Sequence, residues 1–198
     1  MTLSRLTETD CALILPWRNS PAVRQAMYTH HEISPEEHRT WFQRMNGDPS
    51  MRWYLYYDAG NIPIGVVYFT SLDVRQGTAF WGFYSSPEAT PGTGIRMAVD
   101  ALDLAFGELA LIKLNSEVLE VNTRSLSFHK KVGFTEEGLF RDQHFDGERR
   151  IDVIRLGMLA SEWPQHRVRL KARIAELDAL AARHDIAPPP PPQNCDSQ

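Results

Sequence analysis

The sequence predicts an α+β domain: a single mixed, largely antiparallel sheet flanked by helices, with a C-terminal helical extension. Three observations carry this. Residues 53–85 hold three runs rich in aromatic and β-branched residues, WYLYY, IGVVYFTSL and TAFWGFYS, spaced as an antiparallel meander. Apolar residues at helical spacing precede and follow that meander. Two more strand-like runs, 134–145 and 151–159, face each other across Asp146-Gly147, a strong hairpin signal.

Taken in order, the first forty-five residues are expected to be helical. Asp10 to Arg18 is an apolar run broken by Ser20-Pro21. Ser34-Pro35-Glu36-Glu37 combines an N-cap serine, proline at the first helical position and glutamate at the third, and so starts a helix through about Met45. His38, Trp41, Phe42 and Met45 share one face of it. The meander follows, with Asp58-Ala59-Gly60-Asn61 and Arg75-Gln76-Gly77 between its strands. Gly94 to Leu109 reads as a helix, with Ile95, Val99, Leu102 and Phe106 in phase. LIKLNSEVLEV (111–121) alternates as a strand, and Asn122 caps a short helix whose face Ser125, Phe128, His129 and Val132 points inward. Residues 1–163 are read as one domain, 164–187 as a charged amphipathic helix and 188–198 as a disordered proline-rich tail. That helix packs either on its own domain or on a second subunit, so a homodimer is left open.

Composition narrows the function. A formal charge of −4 gives no reason to expect a nucleic-acid partner. The two cysteines, Cys11 and Cys195, suggest neither a disulfide framework nor a metal site. The N-terminus lacks a signal-peptide pattern, and no run approaches about 18 apolar residues. The expectation is a soluble cytoplasmic protein with no membrane partner and no metal.

Two stretches could carry chemistry. In AFWGFYSSPEATPGTGIRM a strand runs into Pro91-Gly92-Thr93-Gly94 and a helix starts directly behind. Amide groups at a glycine-opened helix start form a cradle for phosphate, although a plain tight turn explains the glycines too. The stretch is not a Walker loop, and Met97 stands where a dinucleotide fingerprint needs its third glycine. Gly82 suggests a bulge that would free a strand N–H for a carbonyl substrate. The second stretch is NTRSLSFHKKVGF (122–134), where Asn122 is either a cap alone or also a ligand contact.

Together these stretches resemble the GCN5-related N-acetyltransferase (GNAT) family. The matching residues are Asn122, Ser125, Phe128, His129, Lys131 and Gly133-Phe134, followed by Glu137-Gly138. The resemblance implies the GNAT fold and acetyl-CoA as co-substrate. It places the pyrophosphate on the amides of about Gly92, Thr93, Gly94, Ile95 and Arg96, with further cofactor contacts from Asn122, Lys131 and Tyr84. The chain departs from the family at Ala89, where Arg or Gln is usual, and at His129, where Tyr is usual. In the family that Tyr is held to protonate the departing thiolate, which implies His129 as the acid here. Imidazolium is competent for that step, since a histidine near pKa 6.5 is readily tuned.

Within the family the N-terminal third resembles the nucleotide-sugar N-acetyltransferases of pseudaminic-acid biosynthesis, which serve surface-glycan or flagellin glycosylation. These acetylate the 4-amino group of a UDP-4-amino-4,6-dideoxy-N-acetyl-altrosamine. The residues are Trp17-Arg18-Asn19 with Pro21, Met27-Tyr28, Ile33-Ser34, His38, Ile64-Gly65, Trp81-Gly82-Phe83-Tyr84 with Pro87, Gly147 and Asp152-Val153. The resemblance places Arg18, Met27, Tyr28, His38, Thr70, Trp81 and Tyr84 at a UDP-amino-sugar site. Arg18 is expected on the phosphate side. His38 is equally readable as a core histidine, and Trp81 and Tyr84 alternate to opposite faces unless Gly82 is bulged. Transfer is expected to be direct, with a strand N–H near Tyr84 as oxyanion donor and no residue singled out as base. The rivals are acetylation of a protein N-terminus and a non-catalytic acyl-CoA sensor.

Overall fold

In the computed structural model, which describes residues 2–185, the chain order is β1 (Thr2–Arg5), α1 (Cys11–Asn19), α2 (Pro21–Arg24), α3 (Pro35–Gly47), β2 (Arg52–Tyr57), β3 (Pro63–Asp73), β4 (Thr78–Ser85), α4 (Thr93–Asp103), β5 (Lys113–Leu119), α5 (Thr123–Val132), β6 (Thr135–Phe145), β7 (Arg150–Leu159) and α6 (Trp163–Asp185). Side chains are described through residue 183. The expected proline-rich tail, 188–198, lies outside the described residues.

The strands form one sheet in the order β1-β2-β3-β4-β5-β7-β6. Every neighbouring pair is antiparallel except β4 and β5, which run parallel. This is the GNAT fold. Local signals set most boundaries: Ser34 Oγ accepts the Glu37 N–H (3.1 Å) at the start of α3, and Asn122 Oδ1 accepts the Ser125 N–H (3.1 Å) at the start of α5. The opening segment is corrected. Thr2–Arg5 is not helical but pairs with β2, Leu3 opposite Tyr56. A four-residue polar stretch has no strand signal of its own; the open edge of β2 supplies it.

Helices cover both faces. α1 and α3 bury Ile14, Trp17, Phe42 and Met45 against Leu55, Val66 and Tyr84 on one face. On the other, α4 places Met97, Val99, Ala101 and Leu102 on Val67, Phe69, Leu114 and Leu156. α4 continues into a single π-helical turn, Leu104–Glu108. α6 packs on this second face of its own chain, through buried Trp163 and Leu170 and partly buried Ile174. Among the described residues no helix is long and apolar enough to cross a membrane.

Candidate active site

The site begins where the sheet comes apart. β4 and β5 pair only at Thr78–Lys113, Ala79–Leu114 and Phe80–Asn115. Beyond that β4 stays with β3 as far as Ser85, and β5 stays with β7 as far as Leu119. A wedge-shaped gap opens between them. No bulge at Gly82 causes it: the β3–β4 register runs unbroken from Thr70–Phe80 to Gly65–Ser85. Glycine is required at 82 for another reason, since a side chain there would overlap the ring of Tyr68 on the facing strand.

Strand alternation decides which amides face the gap. The Ser86 N–H donates to the Ile64 carbonyl (2.9 Å), so Tyr84, Gly82 and Phe80 also direct their main chain to β3. Trp81, Phe83 and Ser85 direct theirs the other way, toward the gap. The Tyr84 N–H is therefore not the available donor, and those of Phe83 and Ser85 take its place. The Tyr84 side chain is buried under α1.

The mouth of the gap leads to the start of α4. Its N-cap, Gly92, has a φ of +91°, the left-handed region that favours glycine. Thr93 is buried, and a Cβ on Gly94 would lie 3.3 Å from the Phe128 ring of α5. First-turn amides of a helix have no carbonyl of a preceding turn to meet, so Gly94 and Ile95 present N–H groups here. Arg96 ion-pairs with Asp178 of α6. The cradle therefore fits a pyrophosphate by its backbone. Replacing Gly92 with valine is expected to raise the KM for acetyl-CoA about tenfold, because it strains the cap by about 1–3 kcal/mol. Steady-state thiol release would measure it.

His129 occupies a different place from that of a proton donor. Its ring is 3 % exposed and boxed by Trp81, Phe83, Phe128 and Phe134, with centroids 5.3–6.0 Å away. Nδ1 lies 2.8 Å from the Ser125 carbonyl, which can only accept, so Nδ1 carries the proton. Nε2 then accepts from Ser116 Oγ at 2.9 Å. Burial lowers the imidazole pKa, and the Ser125 bond opposes this only in part. The one N–H of a neutral ring is committed to the Ser125 carbonyl and is far too weak an acid to protonate a thiolate. Ser116 is itself 2 % exposed, so the pair is a packed polar link rather than an open nucleophile and base. The inward face read from the sequence is thus correct, while the acid role meets contrary geometry. Trp81 moves as well. It stacks on Phe134 (5.4 Å, 6°) on the α5 face and not at the acceptor site.

The opposite face carries what the sequence reading missed. Glu117 of β5 receives Arg155 Nη2 on Oε1 (2.7 Å) and the Tyr28 hydroxyl on Oε2 (3.1 Å). Arg155 also lies over the rings of Phe80 (4.5 Å) and Phe140 (5.3 Å). Tyr28 meets His144 edge-on (5.0 Å), and His144 in turn meets His30 (5.6 Å). Burial, then the Glu117 carboxylate, raises the Tyr28 pKa, so it stays a neutral donor. Arg18 Nη2 donates to the Thr29 carbonyl (3.1 Å), which ties the 25–34 loop across this face. Thr70 sits beside Phe80 on the same face. Met27 packs at its edge. His38, buried and stacked on Trp41 (4.8 Å), lines a separate cavity of about 250 Å³ with Cys11, Leu15 and Arg39. Buried nitrogens without a partner gather around this acceptor face: Arg18 Nη1, Arg24 Nε, His30 Nε2, Trp53 Nε1, His144 Nε2 and Arg155 Nε. Buried polar groups are normally paired, so these nitrogens are open to a ligand or to water. Among the described residues no cluster of His, Cys, Asp and Glu could hold a metal ion.

A sheet split between parallel β4 and β5, with a glycine-capped helix behind the split, defines an acetyltransferase. The chain belongs to the GNAT family: the model described as acetyltransferase (GNAT) domain matches residues 1–135. It is an acetyl-CoA-dependent N-acetyltransferase. It is similar to the acetyltransferase PseH of Campylobacter jejuni (strain 81-176), 27 % identical over 132 residues, 67 % of this chain and 81 % of that one. The SPbeta prophage-derived uncharacterized N-acetyltransferase YokL of Bacillus subtilis is 28 % identical over 137 residues, 68 % of this chain and 76 % of that one. Among solved structures, the spermidine N-acetyltransferase of Vibrio cholerae in complex with CoA and spermine superposes with a TM-score of 0.75. It is 25 % identical, covering 82 % of this chain and 96 % of its own.

Proposed function

We propose that the acceptor is the 4-amino group of a UDP-4-amino-4,6-dideoxy-N-acetyl-hexosamine of the altrosamine type, as in pseudaminic-acid biosynthesis. The observation that carries this is the acceptor face itself. Its unpartnered buried nitrogens include three guanidinium atoms and two histidine atoms, while the carboxylates in reach are already engaged within the chain, Glu117 by Arg155 and Tyr28, Glu37 by His31, and Asp146 by the Glu148 and Arg149 amides. Donors of that kind suit phosphate and sugar oxygens, and aromatic surfaces at Tyr68, Phe80 and Tyr28 suit uracil and a deoxysugar methyl. A polyamine, such as the spermine bound to the Vibrio cholerae enzyme, carries several ammonium groups and needs several carboxylates. A cationic protein N-terminus has the same requirement.

When bound, acetyl-CoA supplies a thioester whose acyl carbon takes up an amine. The residues of this chain do the rest. Gly94 and Ile95 offer amides to the pyrophosphate, those of Thr93 and Arg96 being taken by the Thr90 and Gly92 carbonyls, with Asn122 and Lys131 on the α5 side. Phe83 and Ser85 hold N–H groups where negative charge develops on oxygen. Glu117 lies two residues past the last β4–β5 pair, on the acceptor face. A carboxylate has about four lone-pair sites, so beyond Tyr28 and Arg155 it keeps capacity to accept the proton of an incoming ammonium. A thiol of pKa near 8.5 leaves readily without a dedicated acid, so the loss of His129 from that role leaves the chemistry intact. Arg18 is assigned to the diphosphate.

Turnover with acetyl-CoA, followed by free-thiol release, is expected with the UDP-4-amino-sugar. Spermidine and peptide amines are expected to be at least about a hundredfold poorer. Turnover confined to spermidine or to peptides would overturn the acceptor and leave the enzyme class standing. Arg18→Ala is expected to raise the sugar KM about 10- to 100-fold, the worth of a charge-assisted hydrogen bond. The KM for acetyl-CoA should stay unchanged.

A further inference from the structure

α6 begins beyond the residues matched by the family model, and it is held to the domain in a specific way. At its start Trp163 Nε1 and Arg167 Nε both donate to Asp103 of α4 (2.9 and 2.6 Å). His166 then packs on Gly133, where any side chain would overlap its ring. Arg169 Nη2 donates to the Lys131 carbonyl (2.8 Å). Two turns further on, Leu177 reaches the start of α4: a Cβ on Gly92 would stand 3.2 Å from its Cδ1. Asp178 next to it holds Arg96.

Helical spacing puts His166, Arg169, Arg173 and Leu177 on one stripe. The first two contact the end of α5 and the last contacts the cap of α4. Arg173 lies between them, above the interval that separates Lys131 from Gly92. Its present partner is Glu176, at 2.7 Å, with both side chains more than half exposed (53 % and 62 %). Such a surface pair contributes about 1 kcal/mol or less, so a phosphate dianion displaces it readily. Asp178 is the opposing charge, but it is already matched by Arg96.

We infer that α6 supplies part of the nucleotide site, with Arg173 as the cation for the ribose 3′-phosphate of coenzyme A and Lys131 beside it. This rests on the reading of Gly92 to Ile95 as the pyrophosphate cradle. An added helix thereby separates coenzyme A from its dephospho form. The test is calorimetric titration of the full chain with CoA and with 3′-dephospho-CoA. Wild type should bind CoA about tenfold more tightly. Arg173→Gln should weaken CoA about tenfold, to the level of dephospho-CoA, while leaving dephospho-CoA affinity and the melting temperature unchanged. Equal affinity of wild type for the two ligands would overturn the role of α6 alone, as would an equal loss for both in the variant. Failure of wild type to bind either would overturn the cradle itself.

Discussion

Glu117→Gln should lower kcat/KM for the amine about a hundredfold at pH 7, with no change in the KM for acetyl-CoA. An amine of ordinary pKa, roughly 8 to 10, arrives as an ammonium and must lose a proton before it can attack. Glu117 is the carboxylate that β5 carries just past its last pair with β4, and general-base catalysis is worth about 10² to 10⁴. The pH profile separates this from a merely structural effect. As pH rises toward about 9, bulk solvent deprotonates the amine and the variant should recover toward wild type. A structural defect would leave a constant deficit. Glutamine keeps an acceptor for the Tyr28 hydroxyl but leaves Arg155 without its counter-charge, so the melting temperature must be followed in parallel. A change of twofold or less across the pH range would remove Glu117 from the mechanism.

The second large effect concerns stability. His129→Ala should destabilise the fold by about 3 kcal/mol or more, through a cavity inside four aromatic rings and an unpaired Ser116 hydroxyl. The kcat per folded molecule should change by less than about fivefold, where loss of a true acid would cost at least about 10². The pH dependence follows from the lowered pKa. The unfolded imidazole titrates near 6.5 and the folded one below it, so the unfolded state binds more protons in that window. Stability from this residue is fully present above about pH 6.5 and is lost as pH falls toward the folded value. His129→Phe should flatten that acid slope in thermal melts. An unchanged slope together with a kcat loss above a hundredfold would restore the acid role.

Much of the fold was legible because its signals are local. Asp146-Gly147, Ser34-Pro35-Glu37 and the Asn122 cap each act within four residues, and the structure uses all three. β1 was illegible because Thr2–Arg5 becomes a strand only by pairing with Leu55 to Tyr57 and their neighbour Tyr54, some fifty residues away. The same limit governs the site. The glycine-capped start of α4 could be read from contiguous residues. Glu117 could not, since what distinguishes it from any solvent-facing strand glutamate is the register that brings Arg155 opposite and the loop that delivers Tyr28. His129 shows a third case. Its inward direction followed from helical phase, but its partners Ser116, Trp81 and Phe134 come from three other segments, and they decide its protonation.

The parting of β4 from β5 has one more consequence. Along β4, Ala79, Trp81 and Phe83 face one way, and Phe80, Gly82 and Tyr84 the other. On the reading above, the first set borders the chamber of the acetyl donor and the second that of the acceptor. The parity of a residue number therefore says which of the two molecules a mutation meets. A lineage can exchange even-numbered positions, together with the detached N-terminal loop, and so explore new amines while its hold on the shared metabolic donor is inherited intact.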